Sequence, residues 1–477
     1  MKPTQTELQH LFLRAGFGLK PTQLQEFEGK SVDKILDIIF KQAENYTNFD
    51  FIKNDEDDQI NPKFLPRNEK RMFRKERKEE NKMLNIKWLN KMEDNNNQLR
   101  EKMTYFWHTH FACKTVNPVF NQLQNNTLRK HALGSFRELL MAIAKDPAML
   151  QFLNNQQNKK ESPNENFARE VMELFTLGQK NYTENDIKNA ARAFTGWGID
   201  KSEAKFRFRE KQHDFGEKTF MGQKGNFDGV DILKIILKKP ETAFFITKKI
   251  YRFFVNDVVD EIIVKKLADN FYKSDYDISK LMREIFSAQW FYDQKNIATK
   301  IKSPIELLIG LKRTFEIDFV DENAHLFVQK VLGQMLLNPP NVAGWAGGRA
   351  FIDSSSLLFR LQLTQVLFNQ SVVEIDNKDD GDDNAQKYNK KSGQPLQATL
   401  NLKGFEVFLE RNSAKKSNEK SNEKLAKNIK NYLIQGENSL NKIAFEAHIT
   451  ENLSANKEDF IKKIVLYLTA LPEYQMQ

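Results

Sequence analysis

Apolar side chains recur at three- and four-residue spacing in one stretch of this chain after another, and this periodicity restricts the fold more than any other feature. Residues 31–43, SVDKILDIIFKQA, show it after a serine that is a favoured N-cap. Residues 240–254, PETAFFITKKIYRFF, show it after a proline suited to the first helical turn. Helices of this kind bury one stripe against their neighbours. The sequence therefore predicts a mainly α fold, organised as a large multi-helix body.

Strand-like alternation is rare by comparison. Residues 205–209, KFRFR, alternate apolar and basic side chains, and we expect them to pair with 218–222, KTFMG, in a small β-hairpin near 205–222. The segments with helical periodicity are 6–15, 31–43, 68–94, 98–112, 127–145, 164–177, 184–195, 229–238, 240–255, 258–272, 277–288, 303–315 and 325–336.

Two polar stretches predict the domain organisation. Residues 376–394 are charged and nearly free of large apolar side chains, and residues 411–428 contain a tandem KSNE; both are typical of disorder. We interpret them as insertions in one helical domain that covers 1–375. Residues 395–410 are then a folded return segment, and 429–477 form C-terminal helices that pack on the main body.

Composition excludes several classes of function. The net charge of +9, from 73 basic and 64 acidic residues among 477, is mild, so a nucleic-acid partner is not predicted. The single cysteine, Cys113, rules out an internal disulfide and a zinc site built on several cysteines. We find no signal-peptide pattern and no apolar run long enough to span a membrane, so we expect a cytoplasmic protein.

FWHTHFA, residues 106–112, holds two of the seven histidines. On a helix, His108 and His110 point about 200° apart and cannot easily face one metal ion together, whereas a strand or a distorted turn would give a different geometry. We favour one packed and one exposed histidine, since buried polar groups usually find an ordinary hydrogen-bond partner.

NFAREVMELFTLG, residues 166–178, places three charged side chains in an apolar run. Glu170 and Glu173 are three residues apart and share a helix face, and Arg169 and Glu173 are four apart and could pair. Ordinary ion pairs on a solvated face are the usual explanation of such charges. Here the polar strip is narrow, which favours carboxylates that face a polar cavity.

Three further motifs offer chemistry or an aromatic platform. HDFGEK, residues 213–218, puts His213 beside Asp214 with Lys218 near, a base or metal ligand next to a carboxylate. Trp197, in AFTGWG, and Trp345, in PPNVAGWAGG, lie among glycines that let the backbone turn sharply. For the His-Asp pair a surface loop is the ordinary interpretation, and for the tryptophans a structural plug is.

The order of these motifs resembles the bacterial family known as domain of unknown function 1800. The resemblance rests on LFLRAGFG, FWHTHFA, NFAREVMELFTLG, ARAFTGWG, HDFGEKTFMGQKGNFDG, KSPIELLIG, PPNVAGWAGG and LPEYQ, which span nearly the whole chain. It implies a mostly helical protein and no settled activity. Because members often carry export signals, it also leaves an envelope or exported location open.

Two functions compete at this point. The first is a metal-dependent hydrolase acting on an anionic or glycan-like substrate, with a divalent metal as cofactor, a carboxylate as general base and a cation that holds the substrate. The predicted residues are, for the metal, His108, His110, His213 and Asp214; for catalysis, Glu170, Glu173, His213 and Asp214; and for substrate binding, Arg169, Lys218, Trp197 and Trp345.

The second function is a non-catalytic binding or assembly protein with an aromatic-lined polar cleft, whose partner is a glycan or a protein. Trp197 and Trp345 would then stack on a ring, and the charged residues would form a fixed polar network. A helical phosphohydrolase with a His-Asp doublet ranks below both, because His213 and Asp214 fall in a loop beside strand-like residues.

Overall fold

The computed structural model describes residues 1–54, 65–94, 96–370, 396–413, 421–436, 441–453 and 456–477. Within these ranges the mainly α prediction is confirmed, since helices dominate and the strands form only small two-stranded antiparallel sheets. The helices in chain order are α1 (Gln5–Ala15), α2 (Leu24–Phe27), α3 (Val32–Glu44), α4 (Arg67–Glu93), α5 (Gln98–His110), α6 (Pro118–His131), α7 (Phe136–Ala144), α8 (Pro147–Phe152), α9 (Asn166–Glu170), α10 (Glu184–Ala193), α11 (Gly229–Leu237), α12 (Pro240–Phe254), α13 (Glu261–Lys273), α14 (Ile278–Ser287), α15 (Pro304–Phe315), α16 (Asn323–Val331), α17 (Ser354–Asn369), α18 (Lys403–Ser413), α19 (Ser421–Leu433), α20 (Lys442–Asn452) and α21 (Lys457–Thr469).

Helix starts follow from short polar side chains that satisfy free backbone N–H groups. Ser31 accepts a hydrogen bond from Lys34 N and begins α3. Ser303 and Glu306 form a reciprocal capping box at the start of α15. A similar box begins α10 at Thr183. These caps explain why most of the predicted boundaries agree with the structure to within a few residues.

The predicted helix over 127–145 is wrong as a single element. The chain ends α6 at His131 and begins α7 at Phe136. Ser135 lies between them, and its hydroxyl accepts a hydrogen bond from Arg137 N as the N-cap of α7. Because an N-cap residue has an extended backbone, the apolar periodicity continues across a break that it does not reveal.

The predicted pairing of 205–209 with 218–222 is also wrong, although a small hairpin does lie in this region. Strand β2 (Lys205–Phe208) pairs with β1 (Trp197–Asp200), and β3 (Lys218–Phe220) pairs with β4 (Gln223–Gly225), each antiparallel. Each strand thus joins its nearest neighbour along the chain, where closing the short connecting loop costs the least entropy. A third sheet joins β5 (Ile317–Phe319) to β6 (Ala398–Leu400).

Helix α5 lies at the centre of the protein. Residues 99–108 are all buried, so this helix contacts neighbours around its whole circumference instead of along one stripe. Its large side chains Trp107 and Tyr105 are almost completely inaccessible to solvent. The helix therefore presents several polar side chains to the interior, and two of them, Lys102 and His110, belong to the networks described below.

The C-terminal segments contact the N-terminal part of the chain. Gln9 donates a hydrogen bond to Tyr432 O, and the Tyr432 hydroxyl donates one to Leu19 O. Of the predicted insertions, 376–394 lies outside the described residues. Within 411–428, residues 411–413 belong to α18 and residues 421–428 to α19, and 414–420 lie outside the described residues. Repeated Lys, Asn and Glu residues are compatible with a helix whose apolar side packs on neighbouring helices.

Across the described residues, no helix has both the length and the apolar content that crossing a bilayer requires.

Candidate functional site

The NFAREVMELFTLG motif changes its helical geometry halfway along. After α9, residues 171–176 form a π-helix, in which Leu177 N donates to Met172 O across five residues. The Thr176 hydroxyl donates to Val171 O at 2.6 Å and takes part in the wider turn. Such π segments are rare and are found disproportionately at functional sites. The predicted helix over 164–177 is therefore correct in extent, and the sequence gives no warning of its altered pitch.

The end of this π-helix receives side-chain donors from two other helices. Lys249 of α12 donates through Nζ to Leu174 O at 3.0 Å, and His110 of α5 contacts Phe175 O through Nε2 at 3.1 Å. The last carbonyls of a helix lack intrahelical partners and carry a partial negative charge, so they favour such donors. Two motifs that are distant in sequence, FWHTHFA and NFAREVMELFTLG, therefore meet at this point.

Lys249 and His110 also contact each other, with 3.3 Å between Nζ and Nδ1. Because Nε2 of His110 faces a carbonyl oxygen, it carries the ring proton, and Nδ1 is then the acceptor for Lys249. Burial, followed by the charge of Lys249, holds the pKa of His110 well below its usual value. Burial alone lowers the pKa of Lys249 to about 8.

A cleft of about 670 Å³ opens beside this contact, and Lys249 lies in its wall. It is lined by Leu177, Gly178, Gln179 and Asn181 and by residues of α12 and α13, and its exposed rim is mostly charged. Four basic and two acidic side chains take part, so the lining carries a net positive charge. They are Lys248, Lys249, Arg252, Lys265, Glu241 and Asp269.

Two phenylalanines of α12 form the apolar part of the cleft. The ammonium of Lys249 lies 4.8 Å from the centre of the Phe245 ring, and that of Lys248 lies 5.6 Å from the centre of Phe244. The opposite wall approaches Phe245 at Gly178, whose φ is +74°. A Cβ at Gly178 would lie 2.8 Å from the Phe245 ring, so glycine is required there by both backbone and space.

Two charged residues of NFAREVMELFTLG, Arg169 and Glu173, have ordinary partners, and Glu173 lies within the π-helix. Arg169 makes a bidentate ion pair with Glu184, and that hydrogen-bonded pair raises the pKa of Arg169. Glu173 accepts hydrogen bonds from Gln179 and Tyr182, which lower its pKa. Burial, with the charge of Glu173 as a second cause, raises the pKa of Glu170. Only Gln179 connects these groups to the cleft, as part of its lining.

HDFGEK and ARAFTGWG meet in a second, separate network. His213 is buried, and its Nδ1 lies 2.8 Å from Thr195 O. Asp214 pairs with Arg192 at 2.7 Å, and Lys218 donates to the backbone carbonyls of Asp214 and Gly216. Burial would raise the pKa of Asp214, but the hydrogen bonds from Arg192 and Gly216 N lower it. These contacts hold the loop in place.

His108 and the two tryptophans lie in packed surroundings. His108 accepts a hydrogen bond from Leu337 N and packs against Trp345, with 5.6 Å between ring centres, and burial lowers its pKa to about 3. Trp197 is buried against Phe194 and Phe206. Contrary to the expectation of one exposed histidine, both His108 and His110 are buried.

The residues predicted as a metal centre do not assemble into one. Within the ranges that the structure describes, no group of three or more His, Cys, Asp or Glu side chains is arranged to hold a metal ion. His108, His110 and His213 belong to three different networks, with Leu337, with Lys249 and with Thr195. The predicted two-histidine, one-carboxylate set therefore has no support in this geometry.

The cleft residues Phe245, Lys249 and Arg252 were missed because 240–254 has the sequence of an ordinary amphipathic helix. A signal was available in the spacing: residues 245, 249 and 252 are four and three apart, so they share one helix face. Phe245 and Lys249 are partly buried on that face and Arg252 is exposed, an arrangement in which an aromatic ring and two cations can meet a ligand.

Residues 10–476 of the chain match the model of one family, described as "Protein of unknown function (DUF1800)". No curated protein and no solved structure matches the chain significantly.

Proposed function

The chain belongs to the DUF1800 family, whose description assigns no activity, and we propose that the cleft beside the π-helix binds a small anionic ligand with an apolar or aromatic portion. Its volume of about 670 Å³ is in the usual range for small-molecule sites. The excess of basic side chains in the lining favours an anion, and Phe244 and Phe245 favour a flat or apolar group beside it.

The observation that carries this proposal is the position of Lys249. Its ammonium is largely buried, and its hydrogen-bond acceptors are a backbone carbonyl and a neutral imidazole. A buried cation without a carboxylate is unfavourable unless another anion compensates it. An anionic ligand in the cleft supplies that compensation, with Arg252 and Lys265 on the exposed rim adding to the attraction.

This proposal develops the binding-protein alternative and moves its aromatic role to other residues. Trp197, expected to stack on a ligand, is buried, and the partly exposed Trp345 packs against His108 and does not line the cleft. In this proposal Phe244 and Phe245 take the aromatic role in the cleft. A metal-dependent hydrolase on an anionic or glycan-like substrate is the weaker candidate, because its proposed ligands lie in separate networks.

The test is a comparison of neighbouring charges on α13. Lys265 lines the cleft and Lys266 does not, while both are exposed lysines. We expect Lys265→Gln to weaken the binding of arylcarboxylates and arylphosphates by about threefold, the effect of one exposed charge. The matched control Lys266→Gln removes the same charge and should leave affinity unchanged.

Binding would be measured by calorimetry and thermal shift, with neutral aryl alcohols of similar size as the second control. Equal binding of neutral and anionic compounds, or equal weakening in the two lysine variants, would refute the proposal. Binding should also weaken as salt is added, since screening shortens the reach of the rim charges.

A further inference from the structure

We propose that Lys249 is a covalent anchor in this cleft, and that its amine condenses with an aldehyde or keto group of the anionic ligand to form an imine. This inference rests on the proposed function, because the cationic cleft is what would deliver the carbonyl compound to the amine. It adds a substrate class, anionic carbonyl compounds, and a reversible chemical step.

The surroundings of Nζ suit a nucleophilic amine. Two acceptors, Leu174 O at 3.0 Å and His110 Nδ1 at 3.3 Å, hold two N–H bonds of Lys249 in fixed directions. A neutral amine held in this way keeps its lone pair at the remaining tetrahedral position. Amines in apolar surroundings near other cations are activated for imine formation, because the protonated form is disfavoured.

Other buried lysines in the described part of the chain either pair with a carboxylate or lie away from the cleft, as Lys218 does. Lys102 pairs with Glu306, and Lys312 pairs with Glu93. Lys302 has no carboxylate in hydrogen-bond contact, but it donates to Tyr474 O and lies 3.9 Å from the centre of the Tyr474 ring. Neither Lys102 nor Lys302 lines the cleft. Lys249 combines a buried, carboxylate-free amine with access to a ligand.

The charges around Lys249 come from three elements. His110 faces it from α5, Lys248, Arg252 and Glu241 lie on α12, and Lys265 and Asp269 lie on α13. Burial lowers the pKa of Lys249 to about 8. The positive excess of the lining attracts an anionic ligand. It also provides a place for the anionic group of the ligand while the carbonyl meets the amine.

The step balances without an oxidant or a metal ion. The Nζ lone pair attacks the carbonyl carbon, and the carbonyl π bond becomes a C–O⁻ group. Nζ then gives a proton to the oxygen, with His110 Nδ1 as the acceptor that relays it. The hydroxide of the carbinolamine then leaves as the C=N bond forms. It takes the second Nζ proton and departs as water. If the imine is protonated, its N–H donates to Leu174 O.

Reductive trapping tests the step. The full-length protein would be incubated with 4-formylbenzoate and cyanoborohydride near neutral pH, and the modified lysines mapped by peptide mass spectrometry. We expect Lys249 to be trapped about tenfold faster than Lys248, its neighbour in the same cleft, because burial lowers the pKa of Lys249, whereas the ammonium of Lys248 is paired with Glu261. Lys266→Met, at an exposed position outside the cleft lining, should leave this trapping intact, and Lys249→Met should abolish it.

Lys249→Arg guards against a variant that fails to fold, because it keeps a cation and donors at the site but does not form the imine. Trapping at Lys249 no faster than at Lys248 or at exposed lysines would overturn the inference. The inference would also be overturned if folded Lys249→Arg were labelled by 4-formylbenzoate to the same total extent as the unsubstituted protein.

A carbonyl-free compound separates this inference from the proposed function. 4-(Hydroxymethyl)benzoate has the same ring and charge, and we expect it to bind and to slow trapping at Lys249. If it binds but 4-formylbenzoate forms no imine, the binding proposal stands and the covalent step is refuted. If neutral benzaldehyde is trapped at Lys249 as fast as 4-formylbenzoate, the amine is reactive but the anion-binding proposal is refuted.

Discussion

Two lysines, the buried Lys102 and the partly buried Lys249, are stabilised in different ways. Lys102 lies 2.5 Å from Glu306, whose other oxygen accepts a hydrogen bond from Ser303 N. Lys249 contacts a backbone carbonyl and a neutral histidine instead. Burial would raise the pKa of Glu306, but the charge and hydrogen bond of Lys102 lower it to about 2. Lys102 is therefore an ammonium paired with a carboxylate, whereas Lys249 has no carboxylate partner and a pKa lowered to about 8.

The central helix α5 connects the two regions, since Lys102 and His110 both belong to it. Near its start the helix supplies a cation to a closed ion pair. At its end it supplies a neutral acceptor to an amine beside a cleft. The comparison of these two lysines suggests a general distinction. A buried charge that is ion-paired and hydrogen-bonded stabilises the fold, whereas a charge that lacks a counter-ion and lines a cleft indicates a functional site.

Removing one partner of the closed pair should have the largest effect. We expect Glu306→Gln to lower the free energy of unfolding by about 3–5 kcal/mol, because it leaves Lys102 buried without a counter-charge. Urea denaturation measures this. The double variant Lys102→Met/Glu306→Gln should recover part of the loss, and strict additivity of the two single changes would show that the pair is not coupled.

The wall of the cleft should respond next most strongly. Gly178→Ala combines a φ of +74° with a Cβ only 2.8 Å from the Phe245 ring, so we expect a loss of about 2–3 kcal/mol and weaker ligand binding. Gly222→Ala is the matched control, because its φ is +79° with nothing within 4 Å. It should lose about 1 kcal/mol and bind ligand normally. Similar losses in both variants would contradict the close approach.

The pH dependence of stability should separate the two regions. Glu306 has a folded pKa of about 2 against an ordinary 4.5, so its contribution is complete above about pH 4.5 and is lost as pH falls towards 2. The pKa of Lys249 is lowered to about 8 from 10.5, so the folded state releases that proton first. The contribution of Lys249 to the free energy of unfolding therefore increases as pH rises from 8 to 10.5.

Comparison with Lys249→Met isolates that second contribution. We expect the stability of the unsubstituted protein relative to the variant to rise by about 2–3 kcal/mol across this alkaline window, because a fall in pKa from 10.5 to about 8 corresponds to about 3.4 kcal/mol and the partial exposure of Lys249 reduces it. The difference should stay constant from about pH 5 to 7. Denaturation at fixed pH steps provides the values. A difference that does not change between pH 8 and 10.5 would mean that Lys249 titrates alike in the folded and unfolded states.

The surface pair of Arg169 should matter least. It is partly exposed and bonded to Glu184, which is itself 67% exposed. We expect Arg169→Gln to change the free energy of unfolding by less than about 1 kcal/mol and to leave ligand binding unaltered. A loss of binding without a loss of stability would restore the substrate-binding role that the sequence suggests for this arginine.

The sequence predicts the helical body well, because capping residues and apolar periodicity act locally. Pro240 at the start of α12 and Ser31 before α3 are examples, and each marks its boundary without any tertiary information. The predictions fail where one local sequence pattern is compatible with two different structures. The extended stretch 205–209 could pair with a strand on either side, and the sequence does not say which.

The candidate site was harder to predict for a physical reason. The interest of Lys249 lies in what it lacks, a carboxylate partner, and the sequence does not show which groups the fold brings near it. Conversely, Asp214 and Lys218 have the residue types of an active site, yet the fold commits them to Arg192 and to backbone carbonyls. A residue type or a motif predicts chemistry only when the fold does not already engage its side chains in ion pairs or hydrogen bonds.

The most direct test is the titration of Lys249 itself in the native protein. Competitive trace acetylation across a pH series, followed by peptide mass spectrometry, reports the unprotonated fraction of each lysine, with Lys249→Met as the blank. We predict that Lys249 titrates near the value of about 8 that its burial gives, and that a bound anionic arylcarboxylate raises this midpoint by stabilising the ammonium. A midpoint near 10.5, unmoved by such compounds, would contradict the account.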